Sequence, residues 1–246
     1  MPHLSSEPAL SLFLKRLLTH SDLNDEECAA VAALPTSQMD VRANHDFVRL
    51  GEAVEYACLV ERGLVGRSGQ TEDGKRQFVS VHVPGEMVDL HSLMVPQADA
   101  ALNALTHSTV FRVPHSALRE VRLLYPAVAG AFWRDCVVQA GIVAQWLVNV
   151  GRRDARSRLA HLLCEMALRY ARIGGQPANG YELPMTQEQL ADALGLTSVH
   201  VNRTLMGLRD SDLVAVSRNM VTIHDWAGLA LVGEFDPAYL HLENAA

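Results

Sequence analysis

The stretch MTQEQLADALGLTSVHVNRTLMGLR, residues 185–209, limits this chain more than any other. Thr186 and Gln189 form a capping-box start: the Thr oxygen can accept from the third helical N–H, and the Gln side chain can reach back to the cap. Leu190, Ala191 and Leu194 then share one helical face. Gly195 ends the helix where a positive φ costs little. Thr197 can cap a second helix, in which Val201, Leu205 and Leu208 fall at inward spacing. So short a connection fixes two helices at a steep angle, the helix-turn-helix arrangement. Two β-branched runs follow, residues 213–216 and 220–223. They flank Ser217-Arg218-Asn219 and read as a hairpin. Together these pieces predict a winged helix-turn-helix.

With Val201, Leu205 and Leu208 turned inward, the second helix presents Ser198, Val199, Asn202, Arg203 and Met206, with His200 at the edge. A merely solvated helix favours Glu and Lys. This face instead carries short polar groups and one Arg. The early residues of such a helix meet base edges in the major groove. There Arg suits guanine, Asn suits adenine, and Val can touch a thymine methyl. A small helical subdomain without any ligand is the plain alternative.

The 246 residues allow two domains, and 49% hydrophobic with 20% charged residues supplies an ordinary core. The net charge of −7 excludes a basic coat for nucleic acid, so any such contact is local. Arg152, Arg153, Arg156 and Arg158 concentrate positive charge, either as a solvated helix start or as phosphate contacts. The N-terminus shows no secretory pattern, and no apolar run is read as reaching the roughly 18 residues needed to span a bilayer. Cys28, Cys58, Cys136 and Cys164 lie far apart, without a metal-type pair or a disulfide framework. A reducing, cytoplasmic setting is expected.

In chain order, residues 10–18 read as an amphipathic helix. Ser21-Asp22 and Asn24-Asp25-Glu26-Glu27 can open a second, which ends before Pro35. Short β-type runs follow at 46–48, 56–60, 64–65, 77–83 and 110–113. Gly51-Glu52, Arg62-Gly63, Asp73-Gly74 and Pro84-Gly85 punctuate them, as in a β-barrel or jelly roll. Pro126 stands at a plausible helix start, and residues 127–149 can run as one helix. Val128, Phe132, Cys136, Gln139, Val143 and Trp146 follow an alternating three-and-four spacing. Because other faces of this helix are apolar too, it needs covering on several sides, by its own domain and by a second copy. Gly151 is expected to break it, Asp154 to cap a helix over Ala155–Arg172, and residues 174–180 to form a loop. The fold class is α+β.

Gly51-Glu52, Arg62-Gly63, Asp73-Gly74, Pro84-Gly85-Glu86, the long helix, Arg158-Leu159-Ala160 and residues 185–209 together resemble the cyclic-AMP receptor protein / fumarate-nitrate regulator superfamily of bacterial transcription factors. The resemblance covers nearly the whole chain. It implies a jelly-roll sensor domain over 1–124, a dimerisation helix over 125–150, and a winged helix-turn-helix domain over 151–246. It further implies a homodimer on a palindromic double-stranded DNA operator, with RNA polymerase as a further partner and no membrane. The expected DNA contacts are Thr186, Gln187, Thr197, Ser198, Val199, His200, Asn202, Arg203 and Arg218. The expected dimer seam is Val128, Phe132, Cys136, Gln139, Val143 and Trp146.

The departures from this family are equally informative. Nucleotide-binding members hold the cyclic phosphate with a Gly-Glu pair and an Arg followed by Ser or Thr, after the Pro-Gly-Glu turn. Here Asp89-Leu90 stands at the pair, and no Arg occurs between Arg76 and Arg112. Without that Arg the phosphate loses its bidentate partner, so an effector other than cyclic AMP is expected. Cys28 alone cannot supply the four thiolates of an iron–sulfur cluster. Val199 stands where members commonly carry Glu, so the operator sequence is this chain's own. Asp89, His91 and Ser92 lie close in sequence, but a nucleophile and base must converge with an orienting group, and no enzyme is expected. His82, His91, His107 and His115 leave open a haem- or metal-binding sensor of the same architecture, and a non-DNA-binding interaction protein is the other alternative. No cofactor or metal is assigned, and the effector is left unassigned.

Overall fold

The computed structural model describes residues 9–172 and 180–242. The expected loop at 174–180 therefore lies, except for Gly180, outside the described residues. Two helices come first, α1 (Ala9–Leu18) and α2 (Asp25–Ala32). Asn24 caps α2 in a full capping box with Glu27. Seven strands follow: β1 (Ser37–Val41), β2 (His45–Val48), β3 (Tyr56–Arg62), β4 (Val65–Gln70), β5 (Arg76–His82), β6 (Ala101–Ala104) and β7 (Ser108–Pro114). They form a sheet in the order β1-β7-β3 and another in the order β2-β6-β4-β5, the expected jelly roll.

Strand alternation builds two cores. Cys58, Val60, Val65, Leu102 and Val110 meet between the sheets. Ala57, Leu59 and Val113, the neighbours of alternate parity on β3 and β7, face outward. There they pack with Phe13 and Leu17 of α1, Leu118 of α3 (His115–Leu124), and Val128 and Phe132 of α4 (Pro126–Arg152). A strand buried on both faces must be apolar at successive positions, which is why β3 reads Ala-Cys-Leu-Val.

Arg16 fastens α1 to α4. Its Nε donates to Asp135 Oδ1 at 2.6 Å and its Nη1 to Glu86 Oε1 at 3.0 Å. All three residues are buried. Removing one partner would leave a charge in the core, so this link is held far more firmly than a surface pair.

The remaining elements are α5 (Ala155–Arg172), β8 (Tyr181–Glu182), α6 (Gln187–Leu194), α7 (Ser198–Asp210), β9 (Val214–Ser217), β10 (Met220–Ile223) and α8 (Trp226–Gly233). The small sheet has the order β8-β10-β9. Asp154 Oδ1 accepts from Ser157 N at 2.8 Å, the expected cap of α5. At the end of α8, a Cβ on Gly233 would lie 2.7 Å from His161 N, so only glycine lets α8 approach α5 this closely.

The chain divides into two compact units. One comprises Gln70–Ser80 and Val143–Pro237; the other comprises the segment ending at Gly69, Val81–Ile142 and the tail from Ala238. The division thus runs through α4, and it gives the tip of the β4–β5 hairpin to the unit that holds α6 and α7.

Two expectations about α4 are corrected. Gly151 does not break it, since the helix continues to Arg152. An open position with no neighbour within 4 Å of a would-be Cβ lets glycine sit there at only a propensity cost. Among the described residues, α4 is also one helix long and apolar enough to cross a bilayer by length and composition. The buried Arg16–Asp135 pair on it belongs to a protein core instead. The residues of the expected seam divide by burial within the chain. Val128, Phe132 and Trp146 are 0%, 4% and 5% exposed within their own chain, while Cys136, Gln139 and Val143 are half-buried. The Trp146 indole N–H is shared between both Glu165 carboxylate oxygens at 3.1 Å, and Arg169 Nη1 donates to Glu165 Oε1 at 2.9 Å. Val128, Phe132 and Trp146 thus pack within their own chain, and an outer series on α4 is left exposed.

Candidate nucleic-acid interface

The local chemistry of residues 185–209 is realised as read. Thr186 accepts from Gln189 N while the Gln189 side chain returns to the Thr186 N–H at 2.8 Å. Gly195 takes φ 63° and ψ 41°, the left-handed geometry that closes α6. Thr197 Oγ1 accepts from His200 N at 3.3 Å and starts α7. Leu190, Ala191, Leu194, Val201 and Leu208 are buried, and Leu205 is half-buried.

The outward residues form one surface. Ser198, Val199, Asn202, Arg203 and Met206 are exposed on α7, with His200 half-buried at its edge. Together with Gln187 of α6 they line a shallow groove of about 390 Å³, without His200. Exposed Thr186 stands beside Gln187 as the cap of α6. The Val199 side chain is 79% exposed and Met206 53%, an apolar presentation that a solvated helix does not need.

The hairpin places its cation at the tip. Ser217 pairs with Met220, so Arg218 and Asn219 form a two-residue turn. Their φ values are 48° and 68°, the geometry whose twist matches paired strands. Arg218 is exposed there.

The arginine run separates into individual roles. Arg158 Nη1 donates to Leu194 O at 2.9 Å, and Arg153 Nη2 to Glu234 O at 3.4 Å. Arg156 Nη2 donates to Ser211 Oγ at 2.8 Å. Only Arg152 and Arg156 of the four are exposed residues. Neither a solvated helix start nor phosphate contact describes Arg153 and Arg158, whose side chains fasten the chain internally. Their long side chains carry partners three to eight tens of residues away, which no local pattern announces.

In the sensor half, Asp89 is buried and its Oδ1 accepts from Cys58 N at 2.6 Å. Burial pushes its carboxyl up to about 6, against the pull of the Cys58 N–H and the Arg67 charge. Arg67 Nη2 donates to Asp99 Oδ1 at 2.8 Å, and His91 Nε2 lies 3.4 Å from the same oxygen. Ser92 Oγ meets His115 Nε2 at 2.8 Å, with both residues buried. His82 sits 3.2 Å from Glu86, and His107 is exposed. The four histidines therefore have four different surroundings, and among the described residues no three potential metal ligands converge.

Asp89→Asn tests the buried acid. A carboxyl raised from 3.8 to about 6 is protonated more readily in the folded chain than in the unfolded one. Its unfavourable contribution is absent below about pH 4, grows up to about pH 6 and is then constant, at about 3 kcal/mol for a shift of this size. Asn keeps the acceptor for Cys58 and cannot ionise. The variant is expected to gain stability over the parent at pH 7 and not at pH 4. Urea midpoints at both values decide it, and an equal difference at both pH values removes the assignment.

A β-sandwich sensor, a long helix and a winged helix-turn-helix define a class of DNA-binding regulator. Two family models match: the Crp-like helix-turn-helix domain over residues 157–232, and the Cyclic nucleotide-binding domain over residues 38–123. The chain belongs to the cyclic-AMP receptor protein / fumarate-nitrate regulator superfamily, a family of transcription regulators and not of enzymes. It is 26% identical over 192 residues to the transcriptional activator protein FnrL of Cereibacter sphaeroides, covering 76% of this chain and 77% of that protein. It is 24% identical over 212 residues to the transcriptional activator protein FnrA of Stutzerimonas stutzeri, covering 86% of each. The structure of FixK2 from Bradyrhizobium japonicum shares the fold, with a TM-score of 0.71 and 24% identity over 81% of this chain and 98% of that one.

Proposed function

We infer that the chain is a cytoplasmic, sequence-specific transcription regulator that acts as a homodimer on a palindromic operator. The observation that carries this is the exposed face of α7, with Ser198, Val199, Asn202 and Arg203 around one groove and Gln187 at its rim. His200 and Thr197 flank that face, and Thr186 and Arg218 offer further contacts at its two sides. RNA polymerase is the further partner in this reading, which the names of the relatives as transcriptional activators support.

The dimer surface we propose is the outer seam of α4. Trp133, Val137, Ala140, Ala144 and Leu147 are all exposed and recur at four-three-four-three spacing, the period at which two helices interlock. The effector is one other than cyclic AMP. Asp89 lies buried at the position of the family's Gly-Glu pair, and Arg67 is already engaged by Asp99.

Selection from random duplex DNA with the full-length protein, with and without millimolar cyclic AMP, tests this reading. Inverted repeats with half-sites about one helical turn or a multiple apart are expected, the same in both arms. Enrichment of nothing overturns the DNA reading. Enrichment that requires the nucleotide overturns the effector reading.

A further inference from the structure

The C-terminal end of α6 is gripped from two sides. A helix leaves its last carbonyls without intrahelical partners, and that end carries partial negative charge. Here Arg158 of α5 donates to Leu194 O at 2.9 Å and to Gly195 O at 3.4 Å. Gln77, from the β5 side of the hairpin, donates to Ala193 O at 3.1 Å and also to Phe78 O at 2.9 Å. Two carbonyl partners fix which end of the amide is the nitrogen.

Next to it, Arg76 Nε donates to Asp192 Oδ2 at 2.8 Å, with the two side chains only 29% and 23% exposed. The Arg76 guanidinium also lies over the Phe78 ring at 4.7 Å, which limits its freedom before the pair forms. A cleft of about 750 Å³ runs between residues 70, 71 and 73–77 and the end of α6, reaching Gly195, Leu196 and Thr197 at the turn into α7. None of the hairpin residues lines the groove of Gln187, Ser198, Val199, Asn202 and Arg203. The hairpin therefore holds the far end of the motif and leaves its reading face open.

We propose that Arg76 and Gln77 are positioning residues for DNA reading: through Asp192 and Ala193 they set α6, and through the tight turn at Gly195 they set the inclination of α7. This rests on the DNA reading above. A shift of one end of α6 passes directly to α7, because so short a connection has little slack.

The test uses full-length protein and the selected operator, with the parent's binding as its control. If the parent itself binds no operator, the DNA reading has failed and the clamp is moot. If it binds, Arg76→Asp and Asp192→Arg are each expected to weaken binding about three- to tenfold, as for a partly screened pair turned repulsive. The exchanged pair, Arg76→Asp with Asp192→Arg, is expected to return to within about twofold of the parent. The slope of log affinity against log salt should be unchanged in all three, since no phosphate contact is touched. Single variants that bind like the parent, or an exchanged pair that is not rescued, overturn the proposal. A lower salt slope for Arg76→Asp does so as well, because Arg76 then touches DNA. If charge reversal unfolds the chain, Arg76→Gln and Asp192→Asn replace it. Their losses are then expected to be non-additive, the double variant losing no more than either single one, and additive losses overturn the clamp.

Discussion

Trp133→Asp combined with Leu147→Asp is expected to convert the protein to monomers and to cost at least about 100-fold in operator affinity. The reason is mass action. One chain offers one reading helix, and tethering two readers raises overall affinity by roughly 10²- to 10⁴-fold without any new contact. Trp133 and Leu147 are each 70% exposed, and Val137 between them is 51% exposed, so the folded chain does not need these side chains for its own core. The monomer should therefore stay folded and should bind a single half-site as the parent does. Phe132→Asp is the contrasting variant. Phe132 is 4% exposed and packs on Phe13 with ring centroids 6.1 Å apart. Its replacement removes a core aromatic, at about 3–5 kcal/mol, and buries a charge besides, so it should lose the fold and not merely the partner. Light scattering that reports a dimer for the folded Trp133/Leu147 variant would remove the outer seam from the interface.

The contrast also explains what could be read in the sequence. The helix-turn-helix was legible because every signal in it is local: the Thr186–Gln189 box, the left-handed Gly195, the Thr197 cap and the inward spacing all act within one or two turns. The jelly roll was legible from its turns and from the apolar run in β3. β1 was not, because only Val41 of its five residues is buried and no alternation results. The face of α4 that meets a second copy is not legible from spacing for a definite reason. Two series of three-and-four spacing run along this helix one position apart, through Phe132 and through Trp133, and both are rich in apolar side chains. Periodicity cannot rank them. Distant partners, such as Glu165 for Trp146, draw members of the first series inward. Arg153 and Arg158 show the same limit, since their partners Glu234 and Leu194 are remote in sequence.

Arg203→Ala is expected to cost about 1–3 kcal/mol at each half-site, hence about 2–6 kcal/mol for a dimer on a full operator, and to relax preference at one G·C pair in each half. Arg203 is an exposed residue on the groove, between Asn202 and Met206. It is the one cation on the outward face of α7 before Arg209. Its guanidinium can give two parallel hydrogen bonds to guanine O6 and N7, a match that neither an ammonium nor a methyl group reproduces. Arg203→Lys should accordingly recover only part of the loss. Arg152→Ala provides the reference for a contact of another kind. If Arg152 meets a phosphate, its loss weakens every sequence alike and lowers the salt slope by roughly one per contact, while preference among bases stays as it was. The decisive comparison is the affinity of Arg203→Ala for the selected operator and for operators changed at that G·C pair. A variant that still prefers the original pair as strongly as the parent would pass the reading role to Asn202 or His200, the next polar side chains on α7.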